Sequence, residues 1–191
     1  DPGFARDINA WTRRTGNTLL GNEKRGNDYV ALVQKGGGSP KLAQTHSDNE
    51  GKTLIVFSGD LDRVLASFII ANGAASMGRP VTMFFTFWGL NVLRKADKTK
   101  VDKTFVEGMF GTMMPRGSSK LKLSKLNMFG AGTALMKRIM KKKNVTSLEE
   151  LIQKAMENGV KIIACTMSMD IMGIKEEELI DGIDYAGVGT Y

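Results

Sequence analysis

From Lys52 onward, short uninterrupted apolar runs alternate with stretches whose apolar residues recur at helical spacing, and this alternation restricts the fold more than any other feature. The runs are Leu54-Ile55-Val56-Phe57, Val81-Thr82-Met83-Phe84-Phe85 and Val160 to Ala164, with a last strand expected over Tyr185 to Thr190. A strand buried on both faces reads as a continuous apolar run, whereas a half-exposed strand alternates. Between the runs, Leu61, Leu65, Phe68 and Ile69 form one apolar stripe, and Leu148, Leu151, Ile152, Ala155 and Met156 form another. Ser147 and Glu150 make a capping box ahead of the second stripe, and Gly159 sits at its stop. Further helices are expected over 132–143 and 175–181. The pattern predicts an α/β domain with an open, mainly parallel sheet, helices on both faces and right-handed crossovers.

Residues 1–35 predict a small α+β remnant. Asp1-Pro2 offers an N-cap and a proline at the first helical position. Phe4, Ile8 and Trp11 follow at near-helical spacing, and Gly16 ends the helix. Strands near 18–20 and 29–33 flank a Lys24-Arg25-Gly26-Asn27 turn. One helix and a hairpin bury too little surface to stand alone, so this piece reads as the tail of a small domain that begins upstream. Residues 36–51, opening Gly36-Gly37-Gly38-Ser39-Pro40, have linker composition and separate it from the 52–191 domain.

Several function classes lack a basis in these residues. The longest uncharged apolar run, Val81 to Leu93, is too short to cross a bilayer. The opening Asp1-Pro2-Gly3 has neither the basic nor the apolar region of a signal peptide. The one cysteine cannot make an internal disulfide, a CxxC pair or a thiolate zinc site, which fits a reducing, cytoplasmic setting. The lone histidine, His46, lies in the polar linker, where a Ser–His–Asp or Cys–His arrangement would need it to fold back into a site. No GxGxxG follows the first strand and no P-loop lysine motif is present, so no cofactor is expected.

Charge is unevenly placed. Residues 94–143 carry fourteen Lys/Arg against three Asp/Glu, while residues 144–191 carry three against nine. The plain reading is a solvated face plus the usual cations at a helix C-terminus. The functional reading is a basic surface for an acidic partner, an anionic membrane or nucleic acid. The stretch Lys120-Leu121-Lys122-Leu123-Ser124-Lys125 lacks the interleaved aromatics of an RNA reader, so no specific nucleic acid is expected. Six methionines between Met109 and Met140 either fill an irregular core or form an adaptable contact surface, with Met136 and Met140 expected in the core.

Chemistry is expected where a sheet of the flavodoxin-like or Rossmann-like kind opens, beyond the carboxyl ends of its strands. Ser58-Gly59-Asp60, Thr86-Phe87-Trp88-Gly89 and Cys165-Thr166-Met167-Ser168-Met169-Asp170 arrive there, and only the third holds a nucleophile. A thiol between a strand end and a helix start meets unpaired N–H groups that favour the thiolate. Thr166 and Ser168 are placed to donate to the same sulfur. Against this, cysteine is among the most buried residue types, and a lone one at a strand end usually serves packing. Asp60 reads most simply as a helix cap and Trp88 as core or rim.

Phe57-Ser58-Gly59-Asp60-Leu61-Asp62, Met83-Phe84-Phe85-Thr86-Phe87-Trp88-Gly89-Leu90, Met113-Met114-Pro115 and Ala164-Cys165-Thr166-Met167-Ser168-Met169-Asp170 together resemble the DsrE/DsrF-like family, in its larger, Met-rich branch. The resemblance covers 52–191. It implies persulfide transfer, a role that falls on Cys165, with Thr166, Ser168, Ser58, Gly59, Asp60 and Trp88 as the supporting crevice. It also implies homo-oligomers, and sulfur donor and acceptor proteins of rhodanese-like or TusA-like type. Residues 1–35, with Phe4, Asp7, Trp11, Thr15-Gly16 and Lys35, resemble the C-terminal half of a TusA-like sulfur-carrier domain. Such fusions often follow a flavin-dependent CoA-disulfide-reductase-like module, which implies a piece of a longer protein. The alternatives are a sulfurtransferase-like persulfide carrier and a non-catalytic docking or oligomerisation module.

Overall fold

Four strands, β3 (Lys52–Val56), β4 (Val81–Phe85), β5 (Lys161–Cys165) and β6 (Asp184–Ala186), pair side by side in chain order, all parallel. They were located in a computed structural model that describes residues 4–26, 28–36, 51–97, 99 and 101–189. The expected α/β class holds: a parallel sheet with helices around it, and a small antiparallel sheet near the N-terminus. The expected cap at Asp1-Pro2, the histidine His46 and most of the linker fall outside the described residues.

Side chains on successive strand residues point to opposite faces, and the buried residues divide accordingly. Val56, Val81, Met83, Phe85, Ile162 and Ala164 join one large core. Into it pack Leu61, Val64, Leu65, Phe68 and Ala71 of α2 (Leu61–Ser76), with Leu148, Leu151, Ile152 and Ala155 of α5 (Leu148–Glu157). Burying each of the Val, Leu, Ile, Phe and Met side chains among them stabilises the fold by roughly 1.5–3 kcal/mol. The alternate residues Phe84 and Ile163 form a second, smaller cluster with Cys165 and Ala186.

The capping box on α5 forms as expected: Glu150 N donates to Ser147 Oγ, and Ser147 N donates to Glu150 Oε2 at 2.9 Å. The Ser147 N–H, with the Ser147 hydroxyl donating to the same oxygen at 3.0 Å, holds the Glu150 carboxyl below the ordinary glutamate range. Asn72 of α2 ties the two helices together, donating to Leu151 O at 2.9 Å.

Three elements differ from expectation. The helix expected over 175–181 is a single 3-10 turn, Glu176–Glu178. Its last residue is drawn inside the molecule to meet cations, and Leu179 then bridges Arg94 antiparallel. A helix, α6 (Thr166–Met172), follows β5 directly, and Gly173 ends it at φ 62°. The last strand stops at Ala186. Near the N-terminus, α1 (Phe4–Thr15) packs on a hairpin of β1 (Thr18–Arg25) and β2 (Asp28–Gln34), with the Phe4 and Tyr29 rings 5.8 Å apart. The Met-rich excursion supplies α3 (Phe105–Met113) and α4 (Ala131–Lys142). Met140 packs on the core as expected, but Met136 is 39% exposed, and Thr133 is the buried residue of α4.

Candidate functional site

Two loops leaving β3 and β4 lie against each other, backbone on backbone. Thr86 N donates to Val56 O at 3.0 Å, and Gly89 N donates back to Thr86 O at 3.0 Å. A Cβ on Gly89 would stand 2.0 Å from Val56 O, so only glycine lets the second loop cross the end of β3. A Cβ on Gly59 would reach Trp88 O at 3.0 Å. This contact turns Trp88 and Phe57 outward, more than half exposed. Ser58 Oγ donates to Asp60 Oδ2 at 2.9 Å and accepts from Asp60 N at 3.1 Å. Asp60 stands at the N-cap of α2, but its carboxylate makes no cap bond; it turns to Ser58 and to Arg63, 3.5 Å away.

The result is a cleft of about 760 Å³ at the carboxyl ends of the first two strands of the sheet. Ser58, Gly59, Asp60 and Trp88, four of the expected site residues, line it. Met113, Met114 and Pro115 of the Met-rich excursion form the opposite wall, and Arg63, Lys120 and Lys122 give it a cationic rim. Asn91, which sequence reasoning missed, also lines the cleft; its Oδ1 is buried and unpaired. A buried acceptor without a donor is costly, and clefts with such groups are where ligands gain their bonds.

Cys165 does not line this cleft. It ends β5 and stands at the N-cap of α6, 1% exposed, and its sulfur makes no cap hydrogen bond. Phe84, Ile163 and Ala186 are its buried neighbours. The expectation of a reachable sulfur with donors aimed at it is therefore corrected. The period of two along β5 puts Cys165 on the face of Ile163, on which Phe84 and Ala186 also lie. Ser168 is fully buried and shares a hydrogen bond with Thr86 at 2.7 Å, which ties α6 to the end of β4. Thr166 Oγ1 is buried without a partner. The structure thus gathers the expected residues into two places rather than one crevice.

A third feature joins the basic 94–143 stretch to the acidic C-terminal one. Arg94 is wholly inside, 1% exposed, and pairs with Glu178, also fully buried, at 3.2 Å. Arg116 reaches the same carboxylate at 3.0 Å, Lys103 pairs with its other oxygen, and Lys175 N donates to it at 3.1 Å. Burial pushes the Glu178 carboxyl up. The Lys103 hydrogen bond, the Lys175 N–H and the charges of Lys103 and Arg94 outweigh it, so the group ends below the ordinary range. Arg116 follows Pro115 directly, so this network anchors one wall of the cleft. The apolar run before Arg94 and the Leu179-Ile180 pair after Glu178 were the available signals that both charges are internal. Among the described residues, no group of three or more His, Cys, Asp or Glu is arranged to hold a metal, and no helix is long and apolar enough to cross a membrane.

Fold and site together define an α/β protein with one enclosed thiol and one open, cation-rimmed cleft at its strand ends. The chain belongs to the DsrE/DsrF/DrsH-like family, whose model matches residues 48–191. It is 55% identical over 139 residues to the uncharacterized protein YrkE of Bacillus subtilis, spanning 73% of this chain and 87% of that one. It is 40% identical over 142 residues to the sulfur carrier protein DsrE2 of Allochromatium vinosum, spanning 72% and 87%. A more distant match, the uncharacterized protein MJ0760 of Methanocaldococcus jannaschii, is 31% identical over 112 residues.

Proposed function

We propose that the chain is a sulfur-relay protein that carries sulfane sulfur as a persulfide on Cys165. The observation that carries this reading is its 40% identity to a sulfur carrier over most of both chains, together with a single cysteine on which to hold the sulfur. In the step proposed, the Cys165 thiolate attacks the outer sulfur of a donor persulfide. A sulfur–sulfur bond forms to Cys165, the donor's own sulfur–sulfur bond breaks, and its electron pair leaves with the donor thiolate. The proton from the Cys165 thiol ends on that thiolate or in solvent, and nothing is oxidised overall. The enclosed sulfur has to be uncovered for this exchange, by displacement of the Phe84 and Ile163 side chains or of the start of α6. Enclosure then protects the loaded persulfide from water and stray thiols.

Rhodanese-like and TusA-like proteins are the proposed donor and acceptor classes, and assembly into a homo-oligomer belongs to the same reading. The N-terminal helix and hairpin support a partial TusA-like domain by their order of elements. Intact-mass measurement after incubation with a sulfane donor is expected to show one added sulfur on the wild type and none on Cys165→Ser. Equal loading of the two would remove the proposal. One observation favours a second reading, a non-catalytic docking module of a multidomain flavin-dependent disulfide reductase: the sulfur is 1% exposed while the cleft is open. An unloaded wild type that still binds partner domains would select it.

A further inference from the structure

The segment Leu126-Asn127-Met128-Phe129, just before α4, is built inside out. Its polar side chain faces inward: Asn127 Oδ1 accepts from Thr133 Oγ1 at 2.8 Å, and Thr133 Oγ1 accepts from Leu123 N at 3.1 Å. Asn127 O accepts from Gly130 N at 2.7 Å and from Gly132 N at 3.1 Å. Its apolar side chains face outward: Leu126 is 80%, Met128 71% and Phe129 fully exposed. Leu126, Met128 and Phe129 also hold left-handed backbone, with φ of 56°, 43° and 57°. Left-handed conformations in bulky residues persist only where the surroundings impose them. Here Gly132 does so, since a Cβ on it would stand 1.8 Å from Leu126 O.

The knuckle continues into an exposed apolar line on α4, Leu135 and Ile139, one turn apart. Its surroundings carry one sign of charge. Residues 108–148 hold nine Lys/Arg and no Asp/Glu. Lys125, Lys137, Arg138, Lys141, Lys142 and Lys143 are all exposed around the knuckle and the helix. A convex apolar tip needs a matching pit in a protein partner, whereas a bilayer admits it without one. On α4, Arg138 and Lys142 stand three and seven residues after Leu135, beside the Leu135–Ile139 line, so apolar side chains and cations share its exposed face, and apolar residues set among basic ones suit an interfacial anchor. Juxtaposed lysines add attraction to anionic headgroups.

We propose that this face docks the protein peripherally on an anionic membrane, with Phe129, Met128 and Leu126 wedged at the headgroup–acyl boundary and the α4 lysines on the headgroups. This goes beyond the sulfur reading and stands without it. The test is co-sedimentation of the whole chain with vesicles of phosphatidylcholine alone, and of phosphatidylcholine with about one third phosphatidylglycerol. The anionic vesicles are expected to bind at least about tenfold more tightly, and added salt to weaken the binding. Met128→Ser with Phe129→Ser should lower it by about tenfold while circular dichroism stays unchanged. In Phe129→Trp, fluorescence should shift to the blue on binding, as the ring leaves water. Equal binding to both vesicle types overturns the proposal. So does salt-sensitive binding that the double serine variant leaves intact, since the contact would then be charge alone. A wild type that ignores vesicles but loses self-association in the double variant overturns it too, in favour of a second copy.

Discussion

The ends of neighbouring strands in this sheet are finished in opposite ways. At β5 the chain closes over its only thiol, with Phe84, Ile163 and Ala186 around the sulfur. At β3 and β4 the loops pack on each other and leave beside them a cleft of about 760 Å³ with an aromatic wall and a cationic rim. Adjacent strand ends predict a single crevice. What separates them is side-chain direction. Cys165 follows Ala164 by one residue, and one residue on a strand is a change of face. Under the proposed relay the difference separates two tasks, with the sulfur held at the enclosed end and a partner met at the open one.

The largest expected effect comes from dismantling the open end. Glu178→Ala leaves Arg94 buried without its carboxylate, which costs about 3–5 kcal/mol in a buried pair. Urea unfolding is the measurement, and a loss below about 1 kcal/mol would mean that the network does not hold the wall. The same group sets a pH dependence. Its folded pKa lies below the unfolded value, so its contribution is present above that unfolded value and is lost as pH falls through the folded one. Stability of the wild type should therefore drop on acidification more steeply than that of Glu178→Gln.

A smaller effect is expected at the closed end. Phe84→Leu loosens the packing beside Cys165 at a cost of about 1 kcal/mol, and alkylation of the native thiol should speed up about tenfold. If the rate rises only in proportion to global unfolding, seen as a full denaturant dependence, the Phe84 side chain is not the cover. The smallest effect belongs to Trp88→Ala. That ring is 57% exposed, so stability should stay within about 0.5 kcal/mol and alkylation of Cys165 should not change. A faster reaction there would join the two ends again.

Much of the fold was readable because it rests on local rules. The run Val81 to Phe85 became β4 with the expected bounds, and the Ser147–Glu150 box placed the start of α5. Residues 175–181 failed as a helix because a distant event decides them: Glu178 serves cations from residues 94, 103 and 116. No local pattern announces a partner some sixty to ninety positions away. The role expected of Asp60 as a cap held for the backbone and not for the carboxylate, since Ser58 and Arg63 compete for it. The glycine at 89 carried information that spacing could not convey, because its need is a crossing strand. At Cys165 the position at the strand end was legible and burial was one of two readings, but the residues that enclose the sulfur were not legible. Periodicity gives the face a side chain takes, but not what covers that face.

Peptide-level mass spectrometry after exposure to a persulfide donor addresses the relay most directly. The segment between Lys161 and Lys175 contains the only thiol of the chain. It should gain one sulfur under native conditions and lose it again on reduction. The same segment recovered unmodified, from folded protein and an active donor, would contradict the idea that Cys165 carries sulfur.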